Sequence, residues 1–326
     1  MIDQENIEQR PDVGRLNNAV ARLKEEIAKV IVGQELMIEL LLAAILADGH
    51  VLIEGVPGVA KTLTAKLLAR CIDVPFNRIQ FTPDLMPSDV IGTSVFNPQS
   101  TNFSFRKGPI FSSVVLIDEI NRSPAKTQAA LFEVMEEKQI TYDGVTYPMP
   151  TPFLVLATQN PVEQEGTYRL PEAQLDRFLF KVEVNYPTLE QEVQILQYSH
   201  SGKTTHFSNE VNPVLSAAEV QEFRNVVNSI FIEQKVMRYI AELVHETRNN
   251  KSIYLGGSPR ASVAVLRSAK AMAAMSGRDF VTPDDVIKVL PAVLRHRLLL
   301  TPEKEMEGGT PDEVIAAIIK KIEVPR

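Results

Sequence analysis

The chain has 326 residues, of which 44% are apolar and 23% are charged, and its formal net charge is −7. This is the composition of a globular protein with room for two domains. The acidic balance argues against broad, non-specific binding to nucleic acid, which needs an excess of lysine and arginine facing phosphate, although it still allows a local basic channel.

The N-terminal sequence, the length of the apolar runs and the cysteine content predict a cytoplasmic protein with no membrane span. The N-terminal "MIDQENIEQRPD" lacks the pattern of a signal peptide. The longest apolar runs, such as "MIELLLAAILA", are shorter than the ~20 residues that a spanning helix needs. The single cysteine, Cys71, cannot form an intrachain disulfide, and its place in "LLARCIDVPF" predicts a buried, unreactive thiol.

The first predicted elements are two helices, a strand and a third helix. Apolar residues recur at helical spacing over 13–30, and "ELMIELLLAAILADG" predicts a second helix. "HVLIEG" is typical of a buried strand and "TLTAKLLARCI" of a helix. Between them, "GVPGVAKT" nearly matches the phosphate-binding pattern G-x-x-x-x-G-K-[ST], with Ala60 in place of the second glycine. A phosphate-binding loop requires this strand–loop–helix context, which favours a working loop over a chance match.

The loop predicts a site for nucleotide phosphates and Mg²⁺. Its backbone N–H groups and the following helix N-terminus would bind an anion, Lys61 would reach the β- and γ-phosphates, and Thr62 would place its hydroxyl on Mg²⁺. The residues assigned to this site are Gly55, Val56, Pro57, Gly58, Val59, Ala60, Lys61, Thr62 and Leu63. Because a residue with a Cβ atom costs roughly 1–2 kcal/mol in the left-handed region, we predict a negative φ at Ala60 and any positive φ at Gly58.

Two later apolar runs end in polar residues. "VVLIDEI" predicts a buried strand that delivers Asp118 and Glu119 to the carboxyl edge of a sheet, where Asp118 would help hold Mg²⁺ and Glu119 would polarise the attacking water. "LVLATQN" predicts another strand, after which Asn160 could orient the same water. Solvated strand-end acids and a turn-starting asparagine before Pro161 are the simpler alternatives, and for Asn160 the residues alone do not separate the two readings.

The predicted architecture changes near residue 187. Up to that point strands alternate with helices, which indicates a parallel α/β sheet. A loop-rich stretch lies over about 84–109, and "ITYDGVTYPMP", within 139–150, predicts a hairpin that turns at Asp143-Gly144. Beyond Thr188 the pattern is helical, with helix starts at Ser216 and Thr282. We therefore predict an α/β domain over 1–187 and a smaller helical domain over 188–326.

Taken together, these motifs resemble those of the AAA+ ATPases, whose Walker A, Walker B and sensor 1 motifs occur in this order. The resemblance covers almost the whole chain and is closest to the MoxR family, through "GVPGVAKT", "VVLIDEINRSPAKTQAALFEVMEE", "LATQNPVEQEGTYRLPEAQLDRF" and "GGSPRAS". It implies a P-loop AAA+ core, with a parallel sheet flanked by helices, followed by a smaller all-helical lid domain. The segments at about 84–109 and 139–150 would be insert hairpins that contact substrate in related proteins, or plain surface loops.

The resemblance also assigns roles to residues outside the strand ends. Gly33 and Gln34 would line the adenine pocket, and Arg260 would contact the γ-phosphate from the lid as sensor 2. Arg177 would be the arginine finger that reaches the neighbouring subunit's site, with Arg122 and Arg169 as further candidates near that interface. Read alone, Arg177 fits a surface salt bridge and Arg260 a solvated helix start.

The resemblance implies Mg²⁺-dependent ATP hydrolysis at the subunit interfaces of a ring, which we expect to be a hexamer. Hydrolysis would drive chaperone-like remodelling or maturation of a client protein, such as insertion of a metal cofactor, with a separate partner that carries a von Willebrand factor A domain. A motor acting on DNA and a nucleotide-switched scaffold with little hydrolysis are the alternatives. The acidic charge weighs against the first, and the presence of both Glu119 and Arg177 weighs against the second.

Overall fold

The computed structural model describes residues 12–98, 101–160, 168, 170–200 and 211–325. These residues divide into two compact units, one over Leu23–Val220 and one that combines the described part of Met1–Arg22 with that of Gln221–Arg326. The domain boundary expected after residue 187 falls inside the first unit and stays a prediction. No helix among the described residues is both long enough and apolar enough to cross a membrane.

The first unit is built on a five-stranded parallel sheet. The strands of this sheet are β1 (His50–Gly55), β2 (Phe76–Gln80), β5 (Val114–Asp118), β8 (Leu154–Gln159) and β9 (Phe178–Val184). The helices of the unit are α1 (Val13–Ala28, shared with the second unit), α2 (Glu35–Leu46), α3 (Lys61–Cys71), α4 (Pro87–Ile91), α5 (Ala125–Glu137), α6 (Glu172–Leu175) and α7 (Leu189–His200). This architecture confirms the predicted α/β core.

The strand order β2-β5-β8-β1-β9 decides which strand ends are neighbours. β8 lies between β5 and β1, and all neighbouring pairs are parallel. The strands β5 and β8 read as unbroken apolar runs because helices cover both faces of a parallel sheet. Val114–Ile117 and Leu154–Ala157 are accordingly fully buried. The carboxyl ends of β5, β8 and β1 therefore meet side by side at one edge.

Two antiparallel hairpins are attached to this unit. One joins β3 (Gly92–Asn97) to β4 (Asn102–Lys107), and the other joins β6 (Gln139–Tyr142) to β7 (Val145–Pro148). The second turns at Asp143 (φ 49°) and Gly144 (φ 76°), which confirms the predicted Asp-Gly turn. The ring of Phe105 packs against those of Tyr142 and Tyr147, with centroids 4.8 and 4.7 Å away, so aromatic contacts join the two hairpins.

The second unit is helical apart from one short strand pairing. Its elements, the first of them begun in the first unit, are α8 (Ala217–Ser229), α9 (Gln234–Asn249), β10 (Ile253–Leu255), α10 (Pro259–Met275), α11 (Pro283–Leu294), β11 (Leu299–Leu300), α12 (Pro302–Met306) and α13 (Pro311–Lys321). The start of α11 is held by Asp285, which accepts hydrogen bonds from the Thr282 N–H (2.8 Å) and from both terminal nitrogens of Arg278. The buried faces of helices α10 and α11 are formed mainly by alanine, valine and leucine side chains.

Candidate nucleotide-binding and catalytic site

The segment from Gly55 to Leu63 forms the turn between β1 and α3, as predicted for a phosphate-binding loop. Gly58 has a φ of 88°, and a Cβ added there would meet nothing within 4 Å, so the loop is open on that side. A Cβ at Gly55 would lie 2.7 Å from the Val184 carbonyl oxygen, so a glycine is required where β1 passes β9. The Lys61 ammonium donates a 2.6 Å hydrogen bond back to the Gly55 carbonyl.

The prediction of a negative φ at Ala60 is wrong. Ala60 has φ 60° and ψ 19°, in the left-handed region, although the positive φ expected at Gly58 is confirmed. Ala60 is the N-cap of α3, and its carbonyl accepts hydrogen bonds from the N–H (2.9 Å) and the hydroxyl (3.0 Å) of Thr64. These bonds and the loop closure fix the backbone, and they outweigh a local cost of roughly 1–2 kcal/mol. The alanine therefore keeps the conformation that a glycine would adopt.

Lys61 is a half-buried cation surrounded by carboxylates. Burial is the main influence and lowers the pKa of Lys61, while Asp118, Glu119 and Glu54 act in the opposite direction. Glu54 is itself paired with Lys181 at 2.5 Å. A polyphosphate that approached Lys61 would add negative charge beside a poorly solvated ammonium group, which favours binding of the anion.

Asp118 is the buried carboxylate at the end of β5. One oxygen, Oδ2, lies 2.5 Å from Arg78 Nε on β2, and the other, Oδ1, accepts a 3.0 Å hydrogen bond from the Thr158 hydroxyl on β8. Asp118 is only 7% exposed, so both partners matter for its solvation. Each partner comes from a strand that neighbours β5 in the sheet.

Glu119 follows immediately, with φ 57° and ψ 51°. Its Oε2 atom accepts a 2.8 Å hydrogen bond from Gln80 and lies 3.1 Å from Arg122 Nε. Its backbone N–H donates to the Thr158 hydroxyl at 3.1 Å. The carboxylate expected to activate water is therefore held by Gln80 on β2 and by the nearby Arg122, and its backbone is held by Thr158 on β8.

Sequence reasoning missed three of the residues that hold these acids: Arg78, Gln80 and Thr158. Arg78 and Gln80 lie on β2, in "RIQF", and Thr158 lies near the carboxyl end of β8, in "LVLATQN". Thr158 carried the same signal as Asp118, namely a polar residue near the carboxyl end of a buried strand, whereas only Ile79 is buried in β2 and that strand gave no such signal. The contacts of these three residues with the two acids follow only from the strand order, which pairs Gln80 with Asp118 and places β8 beside β5.

Asn160 directly follows β8 and is half-buried. Since β8 separates β5 from β1, Asn160 leaves the sheet between the strand that ends in Asp118 and the strand that leads into the phosphate-binding loop. The structure thus places the predicted water-orienting amide at the expected edge.

Comparison with known proteins assigns the family. Residues 50–180 match the family model "ATPase family associated with various cellular activities (AAA)", and residues 245–318 match the AAA lid domain. The chain is 44% identical to the Bacillus subtilis protein YeaC, itself uncharacterised, over 95% of this chain and 96% of YeaC. It is 42% identical to chaperone MoxR1 of Mycobacterium tuberculosis, over 92% of this chain and 81% of MoxR1.

The chain belongs to the MoxR family of AAA+ ATPases. A solved structure of a candidate ATPase from Cytophaga hutchinsonii agrees with the fold, with a TM-score of 0.89, 44% identity and 97% coverage of both chains. The residues predicted as Walker A (Gly55–Thr62), Walker B (Val114–Glu119) and sensor 1 (Asn160) all lie within the part of the chain that matches the AAA model.

The arginines assigned by the family resemblance lie in different surroundings. Arg177 is held within its own chain, because its Nη1 atom donates to the Phe132 carbonyl at 2.6 Å and its Nη2 atom lies 2.9 Å from Glu136. Arg122 is ion-paired with Glu119. Arg260 is an exposed residue in the first turn of α10, in the second unit. Arg169 lies outside the described residues.

The predicted adenine-pocket residues have an unusual backbone. Gly33 (φ 70°) and Gln34 (φ 59°) are consecutive left-handed residues at the start of α2. The Gln34 amide donates to the Asn185 carbonyl at 3.3 Å, and a Cβ at Gly33 would lie 2.6 Å from Gln191 Nε2. The turn before α2 is therefore packed against the segment that follows β9, and a larger residue at position 33 would be strained.

The residues present fit a Mg²⁺ ion that is shared with phosphates. No cluster of three or more histidine, cysteine, aspartate or glutamate residues that could hold a metal occurs in the described part of the chain. Mg²⁺ at nucleotide sites commonly takes one or two protein oxygens and completes its coordination with water and phosphate. The Thr62 hydroxyl and the buried Asp118 carboxylate match that donor set.

Proposed function

We propose that this protein is a Mg²⁺-dependent ATPase that hydrolyses ATP at the subunit interfaces of a ring, expected to be a hexamer. The observation that supports it most strongly is the juxtaposition at one sheet edge of the Walker A loop after β1, Asn160 after β8 and the acids Asp118 and Glu119 after β5. Lys61 of the loop interacts electrostatically with both Asp118 and Glu119, so the loop and the two acids belong to one site.

The chemistry proposed is transfer of the γ-phosphoryl group to water. Glu119 accepts a proton from the water, whose oxygen bonds to the γ-phosphorus while the bond to the β–γ bridging oxygen breaks, leaving ADP and phosphate. Lys61 and the loop amides bind the phosphates, and Asn160 orients the water. Thr62 and Asp118 would hold Mg²⁺, which supplies positive charge to the phosphate oxygens when bound.

Family roles complete the proposed site. Gly33 and Gln34 would contact the adenine, and Arg260 would contact the γ-phosphate from the lid. Arg177 would complete the neighbouring subunit's site, which requires it to leave Glu136 or to extend past it. An arginine suits both phosphate contacts because its guanidinium is always charged and pairs with two oxygens.

The proposed output is remodelling or maturation of a client protein, for which the relative named chaperone MoxR1 provides the support. The client could be one that receives a metal cofactor, and a separate chain with a von Willebrand factor A domain is the expected partner. The two hairpins joined by Phe105 are the proposed client contact, since Phe103 of the first hairpin is 71% exposed.

The deciding experiment compares Glu119→Gln with wild type. The variant should bind a fluorescent ATP analogue normally, because the amide keeps the size of the side chain, and its phosphate release should fall by about 10²–10⁴-fold. Glu190→Gln, at an exposed position on α7, is the matched control and should hydrolyse ATP normally. Turnover by Glu119→Gln at the wild-type rate would rule out the proposed base.

The same variant tests the client and the alternatives. In the presence of ATP, Glu119→Gln should assemble into rings detectable by mass photometry. In a pull-down it should retain a client protein, and Lys61→Ala should not retain that client. Salt-dependent DNA binding by the ATP-bound ring would instead favour a DNA motor. ATP binding without measurable hydrolysis by the wild-type ring would favour the nucleotide-switched scaffold.

A further inference from the structure

A buried hydroxyl on β8 connects the two acids of the Walker B motif. Thr158 is 3% exposed and lies two residues before Asn160. Its Oγ1 atom is 3.0 Å from Asp118 Oδ1 and 3.1 Å from the Glu119 backbone nitrogen. One side chain therefore contacts both neighbouring residues that the proposed reaction needs.

The directions of these two hydrogen bonds follow from the chemistry of the groups. A backbone N–H can only donate, so the hydroxyl accepts from Glu119. The hydroxyl's single hydrogen is then available for the ionised Asp118 carboxylate, which can only accept. Thr158 thus satisfies a donor and an acceptor at once, and no other orientation of the hydroxyl satisfies both.

The bond to Glu119 stabilises the turn from which its side chain leaves the sheet. Glu119 has a positive φ of 57°, which a residue with a long side chain adopts only when its surroundings hold it there. Since the Thr158 hydroxyl pairs with the N–H of that residue, it supports the turn that brings the Glu119 carboxylate to 2.8 Å from Gln80.

The hydrogen bond from Thr158 gives the two oxygens of Asp118 different surroundings. Oδ1 is occupied by a buried partner, Thr158, whereas Oδ2 faces Arg78, whose side chain is 54% exposed and is free to exchange with solvent. The buried hydrogen bond therefore fixes the rotation of the carboxylate and leaves Oδ2 as the oxygen with an exchangeable partner.

We infer that Thr158 is a positioning residue for ATP hydrolysis, whose hydroxyl sets the orientation of Asp118 and Glu119 together. The inference rests on the proposed ATPase function. Loss of the hydroxyl should therefore lower kcat more than it weakens nucleotide binding. The residues proposed to bind the phosphates, Gly55–Leu63, lie in the turn between β1 and α3 and not on β8.

Two pairs of variants isolate the hydroxyl. Thr158→Val replaces it with a methyl group of similar size, and Thr158→Ser and Thr158→Ala differ from one another by the hydroxyl alone. We expect kcat to fall at least about tenfold in Thr158→Val and in Thr158→Ala, while the KM for ATP and the Kd for a fluorescent ADP analogue change less than threefold. Thr158→Ser should recover most of the lost kcat, and the kcat ratio of Ser to Ala decides the question if the Val variant does not fold.

The possible outcomes distinguish a failure of the proposed ATPase function from a failure of the role of Thr158. A wild-type protein that binds but does not hydrolyse ATP would overturn the proposed function and this inference with it. A hydrolysing wild type whose Val and Ala variants keep its kcat, even with lower melting temperatures, would overturn only the role of Thr158, since a purely structural hydroxyl affects stability without affecting turnover per folded site. A parallel loss in Ser and Ala would also overturn it.

Discussion

Arg78 Nε on β2 lies 2.5 Å from Asp118 Oδ2 on the neighbouring strand β5, so the carboxylate proposed to hold Mg²⁺ is already paired with a guanidinium. The Asp118 side chain is 10% exposed, but that of Arg78 is 54% exposed. The carboxylate is buried, but water competes for the exposed arginine, which limits the net contribution of the pair to about 1 kcal/mol. Mg²⁺ could therefore displace Arg78 at small cost, and the two cations should compete.

Replacing Arg78 with glutamine should make Mg²⁺ bind more tightly. Removing the competing charge is worth up to about 1 kcal/mol, or roughly a fivefold lower Mg²⁺ concentration for half-maximal binding of an ADP analogue. Arg78→Lys keeps the charge and serves as the control. The measurement is a Mg²⁺ titration of nucleotide binding, and an unchanged or higher midpoint in Arg78→Gln would show that the ion pair does not oppose the metal.

Ala60→Gly should stabilise the nucleotide-free protein. The substitution relieves the left-handed strain of roughly 1–2 kcal/mol and costs about 0.4–1 kcal/mol through the greater freedom of the unfolded chain. The net gain of up to about 1.5 kcal/mol corresponds to a rise of at most ~2–4 °C in melting temperature, measurable by calorimetry. Ala60→Val should move it in the opposite direction, since a β-branched residue fits φ 60° worse. A lower melting temperature for Ala60→Gly would contradict the strain assigned here.

Arg177→Ala should abolish ATPase activity in a homomeric ring if Arg177 acts on the neighbouring site. Mixing that variant with Lys61→Ala subunits should restore part of the turnover, because some interfaces then combine an intact loop with an intact Arg177. Glu136→Gln is the companion variant, since it breaks the contact at 2.9 Å within the chain and should change kcat only a few-fold. Rings that assemble from the mixture and stay inactive would assign Arg177 a structural role.

The fold could be predicted because its signals are local. The two central strands that carry the site are apolar runs that end in polar residues, and the predicted strands in "VVLIDEI" and "LVLATQN" are β5 and β8. The same polar ends located Asp118, Glu119 and Asn160 at one sheet edge. The Asp-Gly turn of the second hairpin also depends on two adjacent residues alone.

The details of the site could not be predicted because they depend on contacts between distant segments. The partners of Asp118 are 40 positions away on each side, at Arg78 and Thr158, and only the strand order brings them together. The prediction of a negative φ at Ala60 was wrong for a related reason. It used the intrinsic φ preference of alanine, whereas the hydrogen bonds of the helix and the loop determine the backbone conformation there. Local chemistry indicated which residues act, whereas tertiary register determined how they are held.

Cys71 should report on unfolding of the core. The thiol is fully buried, as predicted, and burial, with a smaller contribution from Glu26, raises its pKa to about 12. The thiolate fraction at pH 8 is then roughly 10³-fold below that of an ordinary cysteine, so iodoacetamide should label the folded protein at least that much more slowly than the protein in urea. Because the folded-state pKa is raised, the thiol's contribution to the free energy of unfolding is present below about pH 8.5 and is lost as the pH rises towards 12. Cys71→Ala should flatten that part of the pH–stability curve, and rapid labelling of the folded chain at pH 8 would show that the segment around Cys71 opens locally.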